Sequence, residues 1–376
     1  MANNKSTIGS RYVAGVLSGA LIVVFMAFQP AIAKDPYDKL VAMAKAEMAN
    51  KGGKITMSLD WPKPDTKRVL PAFKKQYPFI KEIKYKRERG IGPFGRYLIA
   101  YKQGKKPPYD IMHVASEFQK QFWDAGAFVK PPFDYRALSN SVPAGWPRIN
   151  EAALDPEGKF LSTTAMVRGN IWNPKVLPAG KEPTTWSSCL DASVKGRVLI
   201  DSRNKSQAFQ HDPKERSRHL AWLDGLLKND AVILRGQGSI VRKVASGEYP
   251  IACMVNYHTA QRMIDKGVKN LKFTLADTIP LELGTRLYVA KWSDAPATTQ
   301  LFALWLTTGG QKVLGKYAYR GYPTNPTDKN YSRAKGKYIA LCGADCALRW
   351  GEYNREHQVK LRIPMVKKKK KKKKKK

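Results

Sequence analysis

Between Ile55 and Ser116 the spacing of hydrophobic residues alternates between two periods. Ile55–Pro62 (ITMSLDWP) alternates apolar and polar positions, which predicts a strand. Thr66–Pro78 carries Val69, Leu70, Phe73 and Tyr77 at helical spacing. Lys81–Arg89 alternates again but is heavily charged, as suits an edge strand. Gly95–Lys105 predicts a second helix and Tyr109–Ser116 a third strand. Strands alternating with helices imply an α/β architecture with parallel strands and right-handed crossovers. Such sheets place ligands outside the carboxyl ends of their strands.

The second half repeats this pattern. Lys159–Pro174 reads as a strand long enough to cross between two lobes. Pro183–Arg203 reads as a turn, a short helix and a strand ending at Asp201-Ser202-Arg203. His219–Asp230 is an amphipathic helix, and Ser239–Gly267 reads helix, strand, helix, with Gly247 as a stop signal. Leu271–Lys291 looks like one return crossing. Ala295–Tyr319 predicts a helix, a Thr-Gly-Gly turn and a second helix.

The first 33 residues read as an export leader. Lys5 and Arg11 precede the uncharged apolar run Val13–Phe28, and Ala31-Ile32-Ala33 suits cleavage. The run falls short of the roughly 20 residues a spanning helix needs. Removing the ten terminal lysines and the two basic leader residues leaves 55 basic residues against 30 acidic ones, a net charge of +25. The mature body is therefore basic throughout. Scattered charge behind an export leader argues against nucleic acid and for anionic surfaces or ligands. The run Lys367–Lys376 repels itself and is expected to be disordered. A hydrophobic content of 43% supports a real core.

Four cysteines, Cys189, Cys253, Cys342 and Cys346, allow three pairings if all are oxidised. Cys342 and Cys346 could close a local loop, whereas Cys253, in an apolar run, reads as an inert buried residue. Gly90-Ile91-Gly92-Pro93-Phe94-Gly95 fits a dinucleotide fingerprint but follows a charged second strand, so a turn that brings a helix start near a ligand fits better. Ser332-Arg333-Ala334-Lys335 fits S-x-x-K but falls in a late loop without its partner motifs. The five histidines form no metal-spaced set, and no acid–base or nucleophile constellation points to an enzyme.

Taken together, KITMSLDWP, RVLPAFKKQYPFIKEIKY, YKQGKKPPYDIMHVAS, PTTWSSCLDASVKGRVLIDS and VASGEYPIACMVNYHTAQRMIDKG stand in a characteristic order. With the late helix-turn-helix and YPTNP, they resemble a periplasmic solute-binding protein of an ABC importer, in the class that includes ferric-iron binders. The resemblance implies a type II two-lobe fold, each lobe a mostly parallel sheet flanked by helices, joined by crossing strands. It divides the chain into a leader (1–33), a first lobe (34–164), a second lobe (165–272), a return with C-terminal helices (273–366) and the tail (367–376). A cleaved, monomeric periplasmic protein would then enclose one small ligand and deliver it to a membrane permease, or on the same fold present it to a membrane receptor as a sensor, with no cofactor of its own.

Analogy with that class places pocket residues at strand ends: Ser58, Asp60, Trp61, the Gly90–Gly92 turn and Ser116 in the first lobe. In the second they are Arg168, Asn170, Ser202, Arg203, Asn204, Asn256, Tyr257 and His258. Trp61 could instead pack under Pro62, and Arg203 could pair with Asp201. Tyr257-His258 stands where the ferric-iron binders carry a Tyr-Tyr pair, so both residues are metal candidates. The histidine that class carries on the first loop is missing, and Trp61-Pro62 occupies the region. The competing ligand is a small organic anion, a carboxylate, phosphonate or sulfonate, held by Arg168, Arg203 and helix N-termini. Trp61 and Tyr257 would cover its apolar part. A polyamine would want more carboxylates than Asp60 and Glu117.

Overall fold

A computed structural model describes residues 35–363, apart from 89–91, 115, 204 and 327. The expected leader, the lysine run and Gly90 lie outside the described residues.

The first helix, α1 (Pro36–Asn50), lies in a stretch the periodicity above leaves unassigned. Asp35 caps it by accepting from the Asp38 amide, and Pro36 opens it where a missing N–H costs nothing. Leu40, Ala44 and Met48 recur every fourth residue along its buried face. β1 (Lys54–Ser58), α2 (Lys63–Gln76), β2 (Glu82–Lys86), α3 (Gly92–Lys102) and β3 (Ile111–Met112) follow. The strands are parallel in the order β2-β1-β3, so the charged β2 is an edge. β3 is shorter than predicted because only Ile111 and Met112 pair with β1 before α4 (Ser116–Asp124) begins.

After β4 (Phe128–Val129) and α5 (Tyr135–Asn140) the chain enters β5 (Phe160–Trp172), thirteen residues long and buried along most of its length. Then come β6 (Val198–Asp201), α6 (Gln207–His211), α7 (Arg216–Lys228), β7 (Val232–Leu234), α8 (Gln237–Ala245), β8 (Ile251–Asn256) and α9 (Tyr257–Ile264). The predicted single return crossing is two strands, β9 (Lys272–Thr274) and β10 (Thr278–Ala290). β9 pairs with the last residues of β5 and β10 with the earlier ones, and the chain steps between them at Leu275–Asp277.

β5 and β10 run antiparallel, matching Val167 to Leu281 and Phe160 to Tyr288. At one end β10 pairs with β4, and His113 bridges Leu287 beside the first sheet. At the other end β5 continues onto β8 and β9, and β8 leads through β6 to β7. These two strands thus link two α/β layers, as the two-lobe reading expects. A β-bulge between Gly169 and Ile171 breaks the register of β5 on β8.

α10 (Pro296–Thr307) is buried on almost every side, so its all-round apolar sequence reads as a central core helix. Phe302 and Trp305 meet Phe73 of α2 there. α11 (Gln311–Val313) passes into a wider π-type turn, Leu314–Ala318, where the sequence predicts one continuous helix. The S-x-x-K segment lies partly in α12 (Tyr331–Ala334) rather than wholly in a loop. β11 (Tyr338–Cys342) adds in parallel to β10, and α13 (Ala344–Leu348) and α14 (Trp350–Lys360) follow.

Two disulfides close the core. Cys342–Cys346 forms as expected. Cys253 corrects the sequence reading: it is bonded to Cys189, not an inert thiol. The turn Ser187–Leu190 lays Cys189 against β8, bringing the two Cα atoms to 6.6 Å across 64 residues.

Candidate ligand-binding site

The carboxyl ends of β1, β6, β7 and β8 open on one cleft of about 480 Å³, floored by β5 and β10. Asp60, Trp61 and Pro62 enter it directly after β1. Trp61 is buried, and its indole N–H donates to the Thr285 hydroxyl of β10 at 3.2 Å. Arg87, just beyond β2, pairs with Asp60 at 3.2 Å. His113 holds the Arg286 carbonyl at 3.3 Å, and burial pushes its pKa down to about 4.

The opposite wall is a connected polar network. Arg203 grips Asp201 through one guanidinium edge, Nε donating to Oδ1 at 3.1 Å and Nη2 to Oδ2 at 2.8 Å. Gln237 donates to the same Asp201 Oδ2 at 3.1 Å and accepts from the Asn256 amide at 2.9 Å. Arg168 donates from Nε to the Asn256 side chain at 3.1 Å and pairs with Glu282. Burial pushes the Glu282 carboxyl up, but Arg168 and Lys205 outweigh it and hold it below the usual carboxylate range. Lys205, two residues beyond Arg203, faces the cleft and forms no ion pair among the described residues. Burial, with help from Arg168, pushes its ammonium down to about 8.

α9 carries His258, Thr259 and Arg262 along the cleft. Arg262 reaches across to Asp65 of α2 at 2.5 Å. Arg320 approaches the same Asp65 oxygen at 3.8 Å and His258 at 3.4 Å. Burial pushes the Asp65 carboxyl up against the pull of these two arginines. Burial, then Arg320 and Arg262, holds His258 well below its ordinary pKa, so it is neutral near pH 7.

Of the residues singled out in the sequence, Asp60, Trp61, Arg203, Asn256 and His258 line this cleft. Arg168 sits one layer behind, 1% exposed. Tyr257 does not line the cleft; its buried ring packs on Phe273 and Tyr319. Asn170 is turned inward, donating to the Pro183 and Thr185 carbonyls. The Ser58 hydroxyl is buried away from the opening, and Ser202 is not among the lining residues. Gly92 begins α3 outside the lining set, and Ser116 begins α4 with its side chain outside the described residues. Among the described residues no three His, Cys, Asp or Glu side chains cluster as metal ligands would.

Sequence reasoning missed Arg87, His113, Lys205, the Gly236–Gly238 turn, Arg262, Thr285 and Arg320. Two left a readable signal: Lys205 continues the Ser202–Asn204 loop, and Arg262 lies four residues after His258 on the same helix face. Arg320 left none, because it reaches the cleft only through the folding of α10 and the turn after it.

The chain is similar in fold to several solved structures. Iron-bound HitA from Pseudomonas aeruginosa aligns over 81% of this chain and 99% of its own, with TM-score 0.60 and 18% identity. The substrate-binding protein of an ABC transporter from Agrobacterium tumefaciens aligns over 83% and 96%, with TM-score 0.62 and 13% identity. The Atu4243-GABA receptor aligns over 84% and 99%, with TM-score 0.57 and 14% identity. Identities this low carry the fold and not the ligand. No curated protein sequence matches the chain. The family model for bacterial extracellular solute-binding proteins matches residues 72–335, well over half of the sequence and all the strands that build the cleft except β1. With that match and two α/β layers joined by crossing strands, the chain belongs to the bacterial extracellular solute-binding proteins.

Proposed function

We propose that this protein is the exported, periplasmic binding component of an importer that captures a small organic anion. The ligand sits between the two layers, closure pivots on β5 and β10, and the closed form is handed to a membrane permease. The observation that carries this reading is the cleft's charge. Arg87, Arg203, Lys205, Arg262 and Arg320 line it, against Asp60 as the one lining carboxylate among the described residues. A guanidinium-rich, half-enclosed site attracts carboxylate, phosphonate or sulfonate groups and repels cations.

Iron is the weaker reading. HitA is described as iron-bound, but here Tyr257 packs away from the cleft and the lining groups are chiefly cationic. A ferric ion wants several anionic oxygen donors, which this lining does not offer.

A thermal-shift screen of the purified mature protein tests the proposal. It would compare short carboxylates, phosphonates and sulfonates with spermidine and with ferric iron plus carbonate. Saturating a site at a hundred times Kd stabilises by about 2.7 kcal/mol, so the shift is measurable. A rise with an anion and none with spermidine is expected. A rise confined to ferric iron, and lost in Tyr257→Phe, would replace the anion with the metal.

A further inference from the structure

We infer that the captured anion carries two negative charges on one head group, as a phosphonate or phosphate monoester does, and that this group docks at the start of α8 beside Lys205. The inference rests on the anion reading above and narrows it.

Charge bookkeeping comes first. In and directly behind the cleft the described residues place seven cations, Arg87, Arg168, Arg203, Lys205, Arg262, Arg286 and Arg320. Four carboxylates answer them: Asp60 to Arg87, Asp201 to Arg203, Glu282 to Arg168, and Asp65 to Arg262 and Arg320 together. At least two formal positive charges are left over, on Lys205 and on one of the arginines sharing Asp65, and Arg286 adds further to the cationic side. The histidines add nothing near neutral pH, since burial holds both His113 and His258 neutral. A monoanion would leave one of these charges uncompensated in a half-buried site, which costs free energy. A dianion neutralises both.

Geometry places the head group. α8 runs Gln237–Ala245, with no side-chain cap and no acidic residue in its first turn. Its opening, Gly236-Gln237-Gly238, lines the cleft. Gly236 has φ 114°, a backbone few other residues adopt, and a Cβ there would meet nothing within 4 Å. A Cβ on Gly238 would meet only Arg242 Nη1, at 3.6 Å. The Ser239 and Ile240 amides bond the Gly236 carbonyl, so the Gln237 and Gly238 N–H groups are the ones without an intrahelical partner, and they open the positive end of the helix dipole at the cleft lining with little side-chain cover. A helix start alone would not make a site, but buried side chains beside it also lack partners. His258 lines the cleft at 7% exposure, and its Nδ1 is buried without a partner. Arg168 Nη1, directly behind, is likewise buried and unpartnered. The Asp201–Gln237–Asn256–Arg168 network fixes this wall, so the free donors are preorganised.

The test uses matched head groups on one skeleton, propylphosphonate, propanesulfonate and butyrate, titrated calorimetrically at pH 8, with glycerol 3-phosphate and inorganic phosphate as further probes. Propylphosphonate should bind at least tenfold tighter than propanesulfonate, and Lys205→Met should erase most of that preference. Gly238→Asp adds a carboxylate where helices favour one. It should fold normally by thermal melt yet bind propylphosphonate at least tenfold more weakly, which keeps the idea testable if Lys205→Met is unstable. Inorganic phosphate binding as tightly as the esters would assign the same head-group site to free phosphate. Sulfonate or carboxylate binding as tightly as phosphonate would overturn the dianion inference while leaving anion capture intact. Failure of every anion would overturn both.

Discussion

The Cys189–Cys253 bond ties the turn Ser187–Leu190 to the middle of β8, the strand that ends at Asn256 in the cleft wall. Replacing both cysteines by alanine should destabilise the fold more than the same change at Cys342 and Cys346. The chain-entropy argument gives the sizes. A crosslink spanning 64 residues restricts the unfolded chain by about 4 kcal/mol, one spanning four residues by about 2 kcal/mol. Unfolding entropy near 2.1 cal/mol/K per residue turns the first figure into a drop of roughly 6 °C in Tm for a body of this length, and the second into about 3 °C. Thermal melts of the two double variants under non-oxidising conditions read both numbers. Melting the wild type with and without reductant separates the bond from the space left by the lost sulfur atoms. Equal losses, or a larger loss at Cys342–Cys346, would refute the loop-length reasoning and point to residual structure in the unfolded chain.

Gly169→Ala should lower folded yield and the urea midpoint by an amount matching about 3 kcal/mol, because its Cβ would lie 2.1 Å from the Thr274 carbonyl and 2.7 Å from Phe273. Anion affinity should fall about tenfold between pH 7 and pH 9, beyond the ligand's own titration, because the Lys205 ammonium titrates near 8 and only its charged form attracts the ligand. Asp201 and Glu282, held below the usual carboxylate range, and Arg203, raised by Asp201, stay charged over this range beside that group; Lys205→Met should flatten the profile. Burial lifts the Asp328 carboxyl to about 6. Its folded-state pKa lies above the unfolded one, so this contribution to stability is present below about pH 4 and lost as pH rises through 6. The loss is roughly 2 to 3 kcal/mol, and Asp328→Asn should remove that slope from denaturant melts taken between pH 4 and pH 7.

Much of this fold was legible because each segment's period agrees with its place. β1, α2, β2 and α3 appear where alternation and helical spacing put them. The misses have local causes. α1 follows directly on the stretch read as a leader and has a weakly amphipathic sequence, since only Leu40, Ala44 and Met48 face inward. The return crossing Leu271–Lys291 stays apolar through Leu275 and Ala276, so the step between β9 and β10 leaves no polar mark. In the cleft, strand ends were predictable and side-chain direction was not. Asn256 and His258 line it while Tyr257 between them turns inward, because α9 begins at that residue and rotates successive side chains apart. Arg320 belongs to the site only through tertiary folding, so no local pattern could reveal it.

The central claim is that an anion is held by cations from both sides of the crossing strands. Calorimetric titration of the tightest anion against wild type, Lys205→Met and Arg320→Gln tests it most directly. The account predicts saturable one-to-one binding that weakens at least tenfold in each variant, with both variants still melting cooperatively. Unchanged affinity in both variants would contradict it.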